Sequence, residues 1–231
     1  MKKSVSCSAF SVCSCSCAST RQINIAAVSP AGYIKSGCFT IFGSRLCFSS
    51  SLFSDAFGIP VGETHAGRGA LKDESPLLIG GSGHTGTPLS GKYAHDADVV
   101  FLIGTRLADF ATGSYSAWQH PDVKFISINV SSLHANKLGA LPITADARET
   151  LKKLTSMGKS AGIKANPAYV ESLAVDRQAW LQKKRDEVYV QLPDERISQA
   201  QVIGILNEFM SAGDTLLSAA GTPPGDLHQL F

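Results

Sequence analysis

The sequence predicts an α/β fold in which helices flank a mostly parallel sheet. Short apolar runs rich in β-branched residues recur along the chain, as is typical of parallel strands that are buried on both faces. Amphipathic stretches with recognisable helix ends separate and follow these runs. This alternation of strands and helices predicts a layered sheet rather than a helical bundle or a β-sandwich.

Five stretches carry the predicted strands. The clearest are PLLIGG (76–81), ADVVFLIGT (97–105) and VKFISINV (123–130). LPITAD (141–146) is a shorter fourth candidate, and DTLLSAAG (214–221) is predicted to be a buried strand near the end of the chain. The first four predict one sheet, and the fifth predicts the start of a second α/β domain.

Three helices have predicted N-terminal caps. Asp146, with Glu149 three residues later, forms a capping box, and we expect this helix to end at Gly158. Asn166 is the expected cap of a second, long helix. Ser198 is the expected cap of a third, whose inward-facing side chains are predicted to be Val202, Leu206, Phe209 and Met210.

These elements predict four segments. Residues 1–52 are expected to be a disordered Ser/Cys-rich leader, 53–158 a partial domain, 159–196 a helical linker, and 197–231 the truncated start of a second domain. The last segment has one predicted helix and one predicted strand, which is too little to bury a core. We therefore expect the chain to be a fragment that stops within a domain.

The leader differs in composition from the rest of the chain. Residues 1–54 contain no acidic residue, and they hold all six cysteines. The spacing of the cysteines matches no common zinc site. A basic, Ser-rich segment without acidic residues indicates either an organelle transit peptide or a sequence artefact. The cysteine-free remainder fits the cytoplasm. Since 5 of the 21 basic residues lie in the leader, 16 face 19 acidic ones elsewhere, which argues against nucleic-acid binding, and no apolar run suits a membrane span.

Two glycine-rich segments are candidate ligand sites. Gly81, Gly83 and Gly86 form a GxGxxG pattern after a predicted strand, but the acidic residue expected after the next strand is missing, so a tight turn is the favoured interpretation over a dinucleotide site. Arg106 lies at a predicted strand end, where it either binds a phosphate or carboxylate or pairs with Asp109 or with a neighbouring chain.

A third candidate is the loop GETHAGRGAL (62–71), which contains Glu63, His65 and Arg68. Glu63 and His65 are a candidate acid/base pair, although no nucleophile lies nearby in the sequence. The histidines show no metal-binding spacing, and the sequence has no GxSxG, Walker or CxxC motif. We expect no catalytic residue and no metal ligand in this chain.

Several of these stretches together resemble one enzyme family. GIPVGETHAGRGAL, GTRLADFATGS and AAGTPPGDLH are similar to the thiamine-diphosphate-dependent trihydroxycyclohexanedione hydrolases of inositol catabolism, within the acetolactate synthase-like superfamily. The resemblance spans residues 53–231. It implies a Rossmann-like central domain followed by the start of the diphosphate-binding domain. Thr222-Pro223 departs from the Ser-Leu expected there.

The resemblance also implies a cofactor site. Gly221, Thr222 and His228 lie in the segment that is similar to the one beside the cofactor diphosphate. The complete parent enzyme is expected to use thiamine diphosphate and Mg²⁺, to act on a small molecule and to form a homo-oligomer. We expect this chain to bind no cofactor by itself and to be inactive. The alternatives are a stand-alone nucleotide-binding module and a fragment of an acetolactate synthase-like enzyme.

Overall fold

A computed structural model describes residues 29, 31–34, 37–42, 47–194, 196–211 and 213–231. Its centre is a parallel six-stranded sheet in the order β3-β2-β1-β4-β5-β6. The strands are β1 (Cys38–Phe42), β2 (Val61–Glu63), β3 (Leu78–Gly81), β4 (Val99–Ile103), β5 (Lys124–Asn129) and β6 (Leu141–Thr144). The predicted α/β class and four of the five predicted strands are confirmed.

Eight helices accompany the sheet in the described part of the chain. They are α1 (Cys47–Phe57), α2 (Pro88–His95), α3 (Asp109–Thr112), α4 (Ser132–Ala135), α5 (Ala147–Ser160), α6 (Pro167–Lys183), α7 (Gln199–Phe209) and α8 (Thr222–Leu230). A single π-helical turn, Lys184–Val188, extends α6. α1 packs on α5, and α2 packs on α6. None of the described helices is long and apolar enough to cross a bilayer.

The core lies between the sheet and these helices. Val100, Leu102 and Ile103 of β4 are fully buried, as is Ile128 of β5. β4 is therefore apolar on both faces, as its uninterrupted VVFLI sequence predicts. Each such side chain contributes about 1.5–3 kcal/mol through burial, so the middle of the sheet accounts for much of the fold's stability.

The leader prediction is wrong in its last part. We expected disorder through residue 52, but β1 pairs with both β2 and β4 in the middle of the sheet, and α1 begins at Cys47. CFTIF is a short apolar run that completes the sheet, and the family resemblance did not reach it. The expectations for residues 1–28 and for the cysteine side chains lie outside the described residues. The domain boundaries stay predictions.

The three predicted helix starts are confirmed. The Asp146 carboxylate accepts from the Glu149 amide at 3.0 Å, and the Asn166 side chain accepts from the amide three residues on. The Ser198 hydroxyl accepts from the Gln201 amide at 3.0 Å. Each cap satisfies an amide that has no partner within its helix.

Gly158 does not end its helix, which continues to Ser160. The glycine is buried, and a Cβ built on it would lie 2.4 Å from the ring of Phe57. The missing side chain therefore allows α5 to pack closely against α1. Its position in the sequence predicted that it ends the helix. In the structure it instead allows two helices to pack closely.

The segment 159–196, predicted as a linker, packs on the sheet domain. Leu173 of α6 is fully buried. Asp176 accepts from Lys92 at 2.7 Å and from the Tyr93 hydroxyl at 2.9 Å, and Arg177 donates to the backbone oxygen of Leu78 at 3.1 Å. α6 is therefore an integral layer over α2 and the edge strand β3.

The fifth predicted strand is absent. Residues 214–220 have no regular structure, and Leu217 is 88% exposed. A buried strand needs backbone partners on a neighbouring strand, and this run pairs with no strand of the described sheet. The inward face predicted for α7 is also wrong: Ile203 and Gly204 are buried, whereas Val202 and Phe209 are exposed.

Candidate functional site

Two loops meet α8 at the carboxyl edge of the sheet. β2 ends at Glu63 and continues into a 3-10 turn, His65–Gly67. β3 ends at Gly81 and continues through residues 82–87 into α2. This edge is where α/β proteins bind ligands. Residues from both loops contact the last turn of α8, so the three segments form one site.

The site centres on His65, Thr85 and His228, which we call the histidine cluster. The two imidazole rings stack with their centroids 3.9 Å apart. His65 Nε2 lies 2.9 Å from Thr85 Oγ1, which lies 3.3 Å from His228 Nδ1. His228 Nε2 lies 3.0 Å from the backbone oxygen of Glu63. A single hydroxyl thus bridges two stacked histidines.

With both rings neutral, the chemistry of the partners sets the direction of each hydrogen bond. A carbonyl oxygen only accepts, so His228 Nε2 carries the proton and donates to Glu63. His228 Nδ1 then accepts from the Thr85 hydroxyl, which in turn accepts from the Nε2–H group of His65. When both imidazoles are neutral, each donor in this network faces an acceptor, so the bonded ring nitrogens need no other partner.

Burial reinforces this neutral state. His228 is 2% exposed, and burial, followed by the neighbouring charges of His65 and Arg68, lowers its pKa to about 4. Burial and Arg68 also lower the pKa of His65. Because desolvation disfavours an imidazolium ion, the cluster is uncharged at pH 7. It joins the loops to α8 without presenting a cation.

The predicted Glu63 and His65 acid/base pair is not formed between side chains. The Glu63 carboxylate is buried and accepts from the Leu71 amide at 3.1 Å. Burial raises the pKa of this carboxyl, while the amides of the 69–71 turn and Arg68 lower it. Only its backbone oxygen joins the histidine cluster. The carboxylate therefore holds the loop rather than exchanging a proton with His65.

Arg68, the third member of that loop, contacts the end of α8. It donates to the backbone oxygen of His228 at 3.3 Å and to that of Phe231, and its guanidinium group lies 5.8 Å from the centroid of the Phe231 ring. A cation at a helix carboxyl terminus is favourable because the last carbonyl groups lack intrahelical partners. Arg68 thus fixes α8 on the sheet.

The GxGxxG loop is a close-packed turn, as the favoured interpretation predicted. A Cβ at Gly83 would lie 2.4 Å from the backbone oxygen of Phe110, and one at Gly86 would lie 2.7 Å from that of Gly81. A Cβ at Gly81 would meet the ring of His228 at 2.7 Å. Protein atoms, rather than a ligand, occupy the space that these glycines leave.

Comparison with known proteins gives this arrangement its context. Residues 50–154 match the family described as "Thiamine pyrophosphate enzyme, central domain". Over this segment the chain is similar to a thiamine pyrophosphate enzyme central domain. The match runs from within α1 to within α5, so it covers strands β2 to β6. The parallel sheet with its flanking helices agrees with the Rossmann-like α/β fold of such domains.

Longer relatives extend the similarity beyond the central domain. The chain is 34% identical over 202 residues to 3D-(3,5/4)-trihydroxycyclohexane-1,2-dione hydrolase 2 of Bacillus cereus, covering 78% of this chain and 31% of that protein. The hydrolase of the same name from Clostridium botulinum is 32% identical over 203 residues, with the same coverage. The one from Clostridium tetani is 34% identical over 209 residues, or 81% of this chain and 32% of the relative. The chain thus spans about a third of these relatives.

The three predicted cofactor contacts lie at opposite ends of α8. Gly221 and Thr222 are exposed at its N-terminal end, whereas His228 is buried beside the central domain. The six-residue separation between Thr222 and His228 corresponds to about 9 Å along a helix. The structure therefore does not bring the three residues together around one ligand position, and their contact with a cofactor stays a prediction.

Arg106 follows β4 in the central domain and is exposed. Its backbone oxygen accepts from Lys137 at 2.6 Å. Among the described residues, the ion pairs do not include the Arg106 to Asp109 pair that was one of the predictions. Arg106 thus lies apart from the histidine cluster, and anion binding by it stays a prediction.

The described residues do not fit thiamine diphosphate with Mg²⁺ by themselves. No group of three His, Cys, Asp or Glu residues within the described ranges is placed to hold a metal ion. The ring nitrogens of His228 are bonded within the protein. A diphosphate needs compensating positive charge or several donors when it is buried, and the histidine cluster is neutral, with its donors used within the protein.

Thr85 belongs to the site but was not predicted from the sequence. It lies within the quoted GGSGHTGT loop, but its partners are 20 and 143 residues away. Local patterns carry no information about such contacts. Only the assignment of α8 to this edge of the sheet would have indicated that Thr85 bridges two histidines.

Proposed function

We propose that this chain supplies the central domain, and the start of the diphosphate-binding domain, of a thiamine-diphosphate-dependent hydrolase. The complete enzyme would cleave a C–C bond of a cyclic 1,2-dione in inositol catabolism. The observation that carries the proposal is the 34% identity over 202 residues to a trihydroxycyclohexanedione hydrolase. The similarity covers 78% of this chain, which is more than the segment matched by the central-domain family.

In this proposal the chain contributes a scaffold rather than a reacting group. Its histidine cluster is neutral and internally bonded, and its buried Glu63 carboxylate faces backbone amides. The groups that activate thiamine diphosphate and bind Mg²⁺ would come from parts of the enzyme that correspond to the unaligned two thirds of the relatives. The complete enzyme is proposed to act on a small molecule in the cytoplasm as a homo-oligomer.

Within that enzyme, Gly221 and Thr222 would contact the cofactor diphosphate. Both are exposed at the N-terminal end of α8, where the helix dipole favours an anion. Pro223 and Pro224 provide no N–H groups, so the Thr222 hydroxyl is the donor of greatest expected importance. His228 is the third proposed contact, and its ring is buried beside the sheet.

The alternative functions receive less support. A stand-alone nucleotide-binding module would use Gly81, Gly83 and Gly86, but protein atoms fill the space beside these glycines. An acetolactate synthase-like enzyme would share the central domain. The relatives described above are named as dione hydrolases, and their similarity covers most of this chain. This favours the dione as the substrate.

A chimera tests the proposal. Residues 53–231 would replace the aligned segment of the Bacillus cereus hydrolase, and ring opening of the dione would be measured with and without thiamine diphosphate. We expect cofactor-dependent hydrolysis. A chimera that is folded by circular dichroism and binds the cofactor, yet leaves the dione intact, would contradict the proposed substrate.

Matched threonine variants test the diphosphate contact within that chimera. Thr222→Val should raise the cofactor concentration needed for half-maximal activity by roughly tenfold, because hydrogen bonds to charged groups contribute about 1.5–3 kcal/mol. Thr215→Val, at another exposed threonine just before α8, should leave it unchanged. Equal effects of both variants would argue against a specific role of Thr222.

A further inference from the structure

A cavity beside α2 contains no member of the histidine cluster. It has a volume of about 260 Å³ and opens between the loop that follows β3, α2 and the segment from α3 to residue 117. Three alanines and three glycines form the apolar part of its wall. Its polar lining residues are Ser82, Ser90, His95 and Ser116.

Two of the serine hydroxyls are buried. Ser82 and Ser90 are 6% and 1% exposed, and their hydroxyl oxygens lie 2.7 Å apart. Each hydroxyl carries one proton, and the bond between them uses only one of the two protons. In the described part of the chain, neither hydroxyl bonds to any other group. One buried O–H group that lines the cavity is therefore left without an acceptor.

This unused donor indicates that the cavity receives a molecule with an acceptor. A buried hydroxyl that finds no acceptor destabilises the protein, because it has lost its bond to water. One water molecule occupies about 30 Å³ in the liquid, and the cavity is several times larger. It therefore has room for an organic molecule that brings the missing acceptor.

The lining favours an uncharged ligand. None of its ten described residues is an Asp, Glu, Lys or Arg, and His95 is the only titratable one. His95 Nδ1 lies 2.7 Å from the Asp96 carboxylate, which only accepts, so Nδ1 carries a proton and Nε2 of the neutral ring is an acceptor. An ionic ligand would lose its water here without gaining an opposite charge.

The other polar groups of the lining are acceptors. Ser116 donates its hydroxyl proton to the backbone oxygen of Gly113, so its oxygen can only accept a further bond. His95 Nε2 is a second acceptor. Apolar surface comes from the three alanines, Ala94, Ala111 and Ala117. A ligand hydroxyl both accepts and donates, so a compound with several hydroxyl groups on a carbon ring matches this set of partners.

We propose that this cavity binds a small uncharged polyhydroxy compound of the cyclic polyol class. One ligand hydroxyl accepts from the serine pair, another donates to Ser116 or His95, and the carbon atoms lie against the alanines. Pockets for drug-sized ligands measure about 300–1,000 Å³, so a cavity of about 260 Å³ suits a smaller molecule. The proposal uses the described residues alone and does not depend on the function proposed above.

Amide NMR spectroscopy of the isotope-labelled chain, titrated with myo-inositol, tests the site. We expect saturable shift changes at amides within residues 82–95 and 111–117, and none in α5. Inositol monophosphate has the same ring with an ionic group and should bind at least about tenfold more weakly. Tighter binding of the monophosphate at these amides would show that the cavity accepts an anion, and the proposal would be wrong.

Matched serine variants test the donor. Ser90→Ala removes one hydroxyl of the pair and should weaken myo-inositol binding about fivefold, as expected for the loss of one hydrogen bond. Ser156→Ala makes the same change at an exposed serine of α5 and should alter the affinity by less than about twofold. Equal weakening by the two variants would contradict a specific role of the serine pair.

Gly91→Leu tests the cavity itself. Gly91 is exposed and lines the cavity, and a Cβ built on it meets no atom within 4 Å. The fold should therefore tolerate a side chain there, which would occupy the opening and abolish the titration while circular dichroism stays unchanged. Undiminished binding by Gly91→Leu, or no shift change at the cavity amides of the unaltered chain at millimolar myo-inositol, would overturn the proposal.

Discussion

The sheet and the carboxyl-terminal segment, residues 197–231, are held in different ways. In the sheet, Leu102, Ile103 and Ile128 are completely buried within one hydrophobic core. In the carboxyl-terminal segment, Phe209 is 82% and Leu217 88% exposed. Apolar burial is therefore the main stabilising contribution to the sheet, but it is a much smaller one for the segment.

Polar contacts compensate in the carboxyl-terminal segment. The backbone oxygen of Leu230 accepts from Lys184, Asn207 and the Tyr189 hydroxyl. His228 adds the bonds to Thr85 and to the Glu63 carbonyl. Hydrogen bonds contribute about 0.5–1.5 kcal/mol each and depend on protonation and geometry. The two regions should thus respond differently to cavities, to pH and to the loss of a single donor.

The largest effect is expected from a cavity in the sheet. Leu102→Ala removes a completely buried side chain from β4 and should lower the free energy of unfolding by about 3 kcal/mol. Leu217→Ala makes the same chemical change at a side chain that is 88% exposed and should cost less than about 0.5 kcal/mol. Urea denaturation followed by circular dichroism measures both. Similar losses would show that the segment is packed in solution.

Acidic pH should act on the carboxyl-terminal segment first. The pKa of His228 is about 4 in the folded protein, below its ordinary value of 6.5, so the unfolded state binds more protons between these two values. Stability therefore falls as the pH decreases from 6.5 to 4, by up to about 3 kcal/mol. The lowered pKa of His65 acts in the same direction.

Hydrogen exchange locates this pH effect. Amides of α8 should lose protection between pH 7 and pH 5 after correction for the intrinsic rate, whereas amides of β4 should not. His228→Gln should flatten the pH dependence, and His95→Gln, at an exposed histidine of α2, should preserve it. Uniform loss of protection across both regions would mean that the segment and the sheet unfold together.

A smaller effect is expected where two helices touch beside the sheet. Gly158→Ala places a methyl group 2.4 Å from the Phe57 ring and should destabilise the fold by about 1–3 kcal/mol. Gly91→Ala, in α2, meets no atom within 4 Å and should stabilise by about 0.5–1 kcal/mol through helix propensity. Thermal unfolding of both variants checks the sign. Phe57→Leu in the Gly158→Ala background should recover part of the loss.

The difference between the two regions also explains which structural features could be predicted from the sequence. Strands β3 to β6 were predicted from their short apolar runs. In β4 and most of β5 the local pattern and the final environment agree, because both strands are buried, whereas β6 is a partly exposed edge strand. The caps at Asp146 and Ser198 are likewise local, since each involves an amide three residues away. Such features need no knowledge of the rest of the fold.

Features that depend on distant partners were missed. DTLLSAAG has the composition of a buried strand, but α8 contacts the edge strand β3 and the run stays outside the sheet. β1 was missed because CFTIF is short and lies before the region of family resemblance. Thr85 and His228 are 143 residues apart, and the predicted role of His228 rested on the resemblance rather than on any contact in this chain.

The smallest predicted effect isolates one polar contact of the carboxyl-terminal segment. Tyr189→Phe removes the hydroxyl that donates to the backbone oxygen of Leu230, but Lys184 and Asn207 still donate to the same atom. We therefore expect a loss of about 0.5 kcal/mol or less, confined to hydrogen exchange of α8, with urea unfolding of the sheet unchanged. Tyr115→Phe, at an exposed side chain, is the matched control and should alter neither measurement. A global loss of stability in Tyr189→Phe would mean that the end of α8 and the sheet form a single cooperative unit, because only then does one bond at Leu230 influence β4.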